Sequence, residues 1–347
     1  MTVPIIDLHC DLLYYLETNP KRTPYDLVAR CAIPQLRQGQ VKMQTLAIFT
    51  QTEPHSWEKG LHQARIYQEL PARCPQDFVH ASPHWTMQSP FIAILMAFEN
   101  ASGFCHEQEP LQVGFKRLEN IIKTIAKPLY ISLTWNTENR FGGGALTQVG
   151  LKEDGKCLLE ELDQQRIAVD LSHASDALAY EIIDYIEGRC LNIPLMASHS
   201  NARVIALMPR NLPDEIAKEI FRRGGIIGLN LYRPFIGETE HQLIAHIAHW
   251  LELGGEHHVA LGADFFYEAD LPSTYRYGKE VFFKDYQDAT CYGRLLSLLQ
   301  KELKLKSPLL EKFAHQNAWD FMKKLGVHEE CLLGVGPTGF NSFSKHT

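Results

Sequence analysis

Residues 195–232 read LMASHSNARVIALMPRNLPDEIAKEIFRRGGIIGLNLY. The stretch opens on a short apolar run containing a histidine, Leu195–Ser200, and closes on a second apolar run, Gly225–Tyr232. Between them, Pro213–Arg223 carries apolar residues at helical spacing. Pro213 suits the first turn of a helix, and Gly224 with Gly225 a stop after it. The reading is strand, helix, strand. Both runs are too uniformly apolar for a strand with one wet face, so each is expected to be buried on both faces.

The unit recurs along the chain. Further apolar runs at Ile5–Cys10, Met43–Thr50, Phe91–Asn100, Leu129–Asn136, Ile167–His173 and Val259–Phe265 bring the number to eight. Their starts lie 28 to 48 residues apart, which leaves room for one helix and two loops each time. Val113–Ala126 is a second clear amphipathic helix. Eight strands alternating with helices predict an α/β fold of the (β/α)8 TIM barrel type, with a doubly wound open sheet as the alternative. No repeat, low-complexity tract or linker divides the chain. Residues 1–347 are therefore expected to form a single barrel catalytic domain, with a C-terminal helical segment after about residue 285.

Composition narrows the function. The chain has 34 Lys+Arg against 41 Asp+Glu, a net charge of −7, which argues against nucleic acid as a partner. A 45% hydrophobic and 22% charged composition excludes a mostly disordered chain. The longest apolar run, Phe91–Phe98, is too short to span a bilayer, so no membrane partner is expected. The first basic residue is Lys21, after Asp7 and Asp11, and the polar end at 340–347 carries no anchor signal. Eight cysteines without a CxxC pair are expected as reduced thiols in a cytoplasmic protein, not as a zinc site.

The polar residues of these runs gather at their C-terminal ends: His9 and Asp11, Glu99, His173, His199 and Asp264. In a barrel those ends open on one face, where active sites are built. His9 and Asp11, two apart, share a strand face and can reach one metal. Two histidines, a His–Asp pair and a glutamate make a mixed nitrogen and oxygen set suited to zinc. Five ligands exceed one tetrahedral catalytic site but fit two ions about 3.5–4 Å apart, bridged by Glu99. His9 and Asp11 then hold one ion and His173 and His199 the other. Asp264 is left for proton transfer. Asp7 and Asp170 are candidates for orienting histidine rings.

Other features read more plainly. Gly142–Gly144 lacks the context of a phosphate loop and is expected as a flexible loop over the barrel mouth. Ser198 and Ser200 belong to no nucleophile elbow. His257 and His258 precede a strand, on the wrong face for chemistry. His241, His246 and His249 are expected on a helix surface. The aromatic-rich stretch Phe265–Tyr286, with Tyr267, Tyr275 and Tyr277, is a candidate wall of the substrate pocket.

These pieces together resemble the renal, or membrane, dipeptidase family of zinc peptidases. The matching segments are Ile-Asp-Leu-His-Cys-Asp (6–11), Ala-Phe-Glu-Asn (97–100), Leu-Thr-Trp-Asn (133–136), Val-Asp-Leu-Ser-His-Ala-Ser (169–175), Ser-His-Ser (198–200), Pro-Arg-Asn-Leu-Pro-Asp (209–214) and Gly-Ala-Asp-Phe (262–265). They run in the family's order over most of the barrel. The resemblance implies a barrel with two Zn2+ per chain, held by His9, Asp11, Glu99, His173 and His199, with Asp264 handling protons. It implies that Arg210 binds the terminal carboxylate of a small-molecule dipeptide substrate. Trp135, Asn136 and Tyr232 complete the expected substrate-facing set.

Two departures stand out. Trp135 occupies the place of a family histidine that faces the tetrahedral intermediate, and indole donates one N–H but accepts nothing. Asn136 or Asn139 is then the candidate to help the oxyanion. Asp264-Phe-Phe-Tyr replaces the family's Asp-Phe-Asp-Gly. The leader, lipid-anchor tail and disulfide setting of the mammalian enzyme are absent, so a soluble bacterial-type member is expected, with a homodimer left open as its assembly.

The implied activity is hydrolysis of dipeptides with a free C-terminal carboxylate by a metal-bridging hydroxide. An amidohydrolase acting on another N-acyl amino acid or a lactam is the alternative. A barrel that binds small molecules without turnover is the reading from another class, and the intact ligand set argues against it.

Overall fold

A run of residues buried on both faces must be paired on both edges, and a set of such runs satisfies all its backbone groups by closing on itself. The computed structural model describes residues 3–271 and 280–326. Its strands are β1 (Ile5–Cys10), β2 (Val41–Phe49), β3 (Phe78–His80), β4 (Ile92–Glu99), β5 (Tyr130–Ser132), β6 (Ala168–Asp170), β7 (Leu195–Ser200), β8 (Ile226–Leu229) and β9 (Val259–Leu261). Eight of them form a closed parallel ring in the order β2-β1-β9-β8-β7-β6-β5-β4. The ring is sealed by the β2–β4 ladder, from Met43↔Ala93 to Phe49↔Glu99. That closure makes the fold a (β/α)8 barrel and excludes the open doubly wound sheet. The short β3 pairs only with the first half of β4 and stands outside the ring.

Helices Ser56–Arg73, Leu111–Thr124, Glu153–Gln165, Asp176–Gly188, Asp214–Arg222 and His241–Glu252 cover the barrel, and Tyr292–Glu302 and Asn317–Lys324 follow β9. No helix among the described residues is long and apolar enough to cross a membrane. Strand β4 shows how the core divides. Ile92, Ile94, Met96 and Phe98 pack outward among the helices. Ala93, Leu95 and Ala97 face inward with Ile6, Leu8 and Met43. Ala318, Phe321 and Met322 of helix Asn317–Lys324 join that inner cluster, and Glu99 lies at the other end of β4 from its first residues.

Two strands break the alternation. On β1, Asp7 pairs with Gln44 and Cys10 with Leu46, so three steps oppose two. On β7, Ala197 pairs with Ile227 and Ser200 with Leu229, again three against two. Strict period-two alternation from the inward Leu8 and Met196 would turn His9 and His199 toward the helices. One extra residue in each strand turns them inward instead, as bulges do. The β7 bulge also pushes the Ser198 carbonyl into the barrel. A Cβ on Gly228 would lie 2.1 Å from that oxygen and a Cβ on Gly262 1.8 Å, so only glycine fits there.

Several local expectations change. Four strands end at least three residues before the apolar runs do, at Ser132, Asp170, Leu229 and Leu261. The reason is that apolar turn residues packed over the barrel mouth look like strand in a hydropathy pattern. Pro213 is the N-cap of its helix rather than a first-turn residue, with φ −62° and ψ 152°. Gly142–Gly144 is not a loose loop. It is buried and bridged to Leu151 and Ala174, and a Cβ on Gly144 would lie 2.0 Å from the Trp135 carbonyl. His246 is fully buried rather than on a helix surface, its ring tied to Ala202 N and Ile236 O. Tyr275 and Tyr277 lie outside the described residues, as does the polar end at 340–347.

Candidate metal centre

The chain delivers each candidate residue by a different local device. Glu99 reaches the barrel mouth by plain alternation along β4. Asn100 then takes φ 96° and ψ 117°, a backbone that L residues rarely adopt. Four side-chain hydrogen bonds hold it there, to Thr50 O, Thr52 Oγ1, Ser102 N and Asn139 Nδ2. His9 and His199 arrive through the two bulges. His173 and Asp264, expected on strands, sit in the turns beyond β6 and β9, and Asp264 has a left-handed φ of 61°.

These turns bring the expected ligands to one point. His9 Nε2 lies 3.2 Å from Glu99 Oε2, 3.7 Å from Asp11 Oδ1 and 3.6 Å from Asp264 Oδ1. His173 Nε2 lies 2.7 Å from Glu99 Oε1 and 2.9 Å from His199 Nε2. His199 Nε2 is 3.8 Å from the same Glu99 oxygen. Glu99 thus turns one oxygen to His9 and the other to His173 and His199, as a shared bridge requires. The ligand atoms of His9, Glu99 and His199, and those of His9, Asp11 and Asp264, each lie within 4.8 Å of one another, so Asp264 joins the donor set alongside Asp11.

Hydrogen bonds on the far sides of the rings fix which nitrogen faces the centre. Tyr130 hydroxyl donates to Leu8 O, which leaves it to accept from His9 Nδ1 at 2.7 Å. Ser198 Oγ donates to Asp170 Oδ2, which leaves it to accept from His199 Nδ1 at 2.7 Å. In the neutral form of both rings Nε2 then carries the lone pair. Asn136 Oδ1 and Arg210 Nε both face His173 Nδ1, at 3.0 and 3.2 Å. Asp170 therefore orients a histidine through Ser198. Asp7 orients none: it accepts from His9 N, Gln44, Ala263 N and Tyr292, and so ties β1 to its neighbours.

Burial sets the charges. It raises Glu99, but His9 and His173 outweigh it and hold that carboxyl below its ordinary range. Burial, then Glu99, pushes Asp11 up to about 6. Burial, opposed by His9 and helped by Asp11, pushes Asp264 up to about 8. His173 falls to about 4 through burial and then Arg210. Three buried atoms at the heart of the cluster, His9 Nε2, Asp11 Oδ1 and Glu99 Oε2, have no hydrogen-bond partner. Each such atom costs about 1–3 kcal/mol. Divalent cations would satisfy all three, and the mixed nitrogen and carboxylate set is the kind that takes them.

A pocket opens beside the cluster. Asp11, Glu99, His173 and Asp264 line its polar side, and Trp135, Asn136 and Tyr232 its wall. Phe266 and Tyr267 from the aromatic-rich stretch line it too. Arg210, expected to face the mouth, is placed under this surface. It is 4% exposed, places its Nε 3.2 Å from His173 Nδ1 and donates to Ser200 Oγ and His199 O, with Phe235 beside it. Asn139 has no amide left for chemistry, since it is tied to Asn100, Leu133 O, Phe141 N and Gly142 N.

Sequence reasoning missed Tyr130 and Asn230. Asn230 Nδ2 donates to Asp264 Oδ2 at 2.9 Å and to His199 O. Both are polar-tipped residues inside apolar runs, the same signal that marked Glu99. Tyr14 and Tyr15, on the helix Leu12–Thr18 after β1, carried no such signal, because tyrosine is ordinary in an amphipathic helix.

The family model described as membrane dipeptidase (Peptidase family M19) matches residues 1–330. A Klebsiella pneumoniae protein, described as an uncharacterized protein in the pqqA 5′ region, is 29% identical over 190 residues, 50% of this chain and 65% of that one. An uncharacterized dipeptidase of Schizosaccharomyces pombe is 30% identical over 148 residues, 39% of this chain and 34% of that one. The chain thus spans between a third and two thirds of the length of these two relatives. The crystal structure of a Rhodobacter sphaeroides metallo peptidase, liganded with a phosphinate mimic of the dipeptide L-Ala-D-Ala, superposes with a TM-score of 0.78 at 20% identity, over 94% of this chain and 100% of that one. At that identity the likeness speaks for the fold.

Proposed function

The chain belongs to the membrane dipeptidase family, and from that premise we propose that it hydrolyses dipeptides bearing a free C-terminal carboxylate at a centre of two divalent cations, taken to be zinc. The observation that carries the reading is the convergence of five donors on one point, with three of their buried atoms left without hydrogen-bond partners. His9 and Asp11 would hold one ion, His173 and His199 the other, and Glu99 both. Bound there, the ions supply Lewis-acid polarisation of a carbonyl and a water acidic enough to ionise near neutral pH.

The rest falls to the chain's own residues. Tyr130 and the Ser198–Asp170 pair keep the His9 and His199 rings turned so that Nε2 faces the centre. Asp264, steadied by Asn230, lines the pocket and moves the proton from the attacking water to the leaving amine. Asn136, whose Oδ1 faces His173, is left with its amide N–H groups as the candidate donors toward the carbonyl oxygen. Arg210 supplies the positive charge for the substrate carboxylate. It bonds His173, and its charge acts on Asp264, so it lies close to the reacting position. The setting is taken to be cytoplasmic, where the cysteines would stay reduced thiols.

The test is a panel of dipeptides, their C-terminal amides, N-acyl amino acids and lactams on zinc-loaded protein, with chelator-treated protein as control. Wild type should prefer the free acid to the amide. Arg210→Ala should lose about ten- to a hundredfold in kcat/KM on the acid, and little on the amide, for a charge-assisted contact worth about 1.5–3 kcal/mol. Equal losses on both would make Arg210 a structural residue. Turnover of N-acyl amino acids or lactams alone would replace the dipeptidase reading by the amidohydrolase one.

A further inference from the structure

The pocket has one wall in which charge is present but cancelled. Tyr14, Tyr15, Phe49 and Tyr267 line it together with Asp270. These residues come from the chain after β9, the helix after β1 and the end of β2, three neighbouring sectors of the ring. Among the described residues, Asp270 is the one lining carboxylate outside the centre itself, and no Lys or Arg lines the pocket. Asp270 is not a free anion. Arg22 Nη2 donates to its Oδ1 at 2.8 Å, and Nη1 donates to its Oδ2. The guanidinium lies 4.3 Å from the Tyr15 ring centroid and 5.1 Å from that of Tyr267. The two charged side chains are 17% and 14% exposed. The rings of Tyr15 and Tyr267 thus already face a cation, supplied by the chain itself.

A substrate side chain pressed against this wall meets ring faces and a paired carboxylate. An unpaired charge is strongly disfavoured in such a place, whereas an uncharged ring or branched chain buries apolar area at no polar cost. On the dipeptidase reading the substrate carboxylate lies on the β7 side of the pocket, above the buried Arg210, which directs the other residue of a dipeptide across the centre, toward β9, β1 and β2.

We propose that this wall is the subsite for the residue that contributes the scissile carbonyl, that it selects uncharged aromatic or large aliphatic side chains, and that Arg22 sets this selectivity by neutralising Asp270. The proposal rests on the dipeptidase reading and adds its substrate class.

The experiment compares kcat/KM for Phe-Ala, Leu-Ala, Lys-Ala and Glu-Ala on the zinc-loaded full chain. Wild type should favour Phe-Ala and Leu-Ala over both charged substrates by about tenfold or more. Arg22→Ala exposes the Asp270 charge, and the Lys-Ala to Phe-Ala ratio should rise about tenfold while Glu-Ala falls further. Asp270→Asn leaves the Arg22 charge unpaired, and the Glu-Ala to Phe-Ala ratio should rise instead. The double variant should return to the uncharged preference. General damage lowers every substrate together and leaves these ratios in place. Should Arg22→Ala not fold, Arg22→Gln and Asp270→Asn give the same readout. A wild-type preference for a charged side chain, or ratios unmoved in both single variants, overturns the proposal. No turnover of any dipeptide overturns the dipeptidase reading beneath it.

Discussion

Asp264 combines a left-handed backbone with a carboxyl that burial pushes up to about 8, and its partner Asn230 fixes one of its oxygens. A group that gains and loses a proton near neutral pH is what proton transfer needs. Asp264→Asn keeps the shape and removes the proton. We expect kcat to fall by about two to four orders of magnitude with KM and bound metal little changed. If metal content falls with the rate, the carboxylate is a ligand, as its 3.6 Å approach to His9 allows. At this scale the sequence was informative, since each donor is a polar residue in an apolar run. It marked Tyr130 and Asp170 as polar-tipped residues in apolar runs but was silent on which ring each one holds, because a hydrogen bond between distant segments leaves no mark on either of them.

Elements decide where those residues point. The bulges in β1 and β7 turn His9 and His199 inward, and the β7 bulge requires glycine opposite it. Gly262→Ala would set a Cβ 1.8 Å from the Ser198 carbonyl, a backbone atom with little room to yield. Urea unfolding should show a loss of about 3 kcal/mol, at the upper end for overpacking, or no folded protein. Gly188→Ala meets nothing within 4 Å and should be neutral or stabilising by up to about 1 kcal/mol. On helix His241–Glu252, burial lowers His246 to about 4. The unfolded histidine, near 6.5, takes up its proton first. Its contribution is therefore intact above about pH 6.5 and is lost as pH falls toward 4. Between about pH 7 and pH 5 this amounts to about 1–2 kcal/mol, and His246→Gln should flatten the pH–stability curve by that amount.

Across the whole molecule, residues distant in the chain close the barrel at the end remote from the centre. Helix Asn317–Lys324 sends Phe321 into the inner cluster with Ile6, Leu8 and Met43. Phe321→Ala should cost about 3–5 kcal/mol in denaturant while the metal content stays as in wild type. A loss of metal at unchanged stability would mean that the plug and the centre are coupled instead. The amino-acid sequence by itself determined the number and order of the barrel strands and marked the polar residues that gather at their ends. Hydropathy along a strand and polar residues at its end are local properties, written in consecutive residues. Only the tertiary structure decided that His9 and His199 face inward, that Arg210 lies beneath the pocket surface, and that Arg22 cancels Asp270. A bulge exists only against the register of a neighbouring strand. The Arg22–Asp270 pair joins residues 248 positions apart, so the field that a substrate meets is set by contacts that no segment of the chain contains alone.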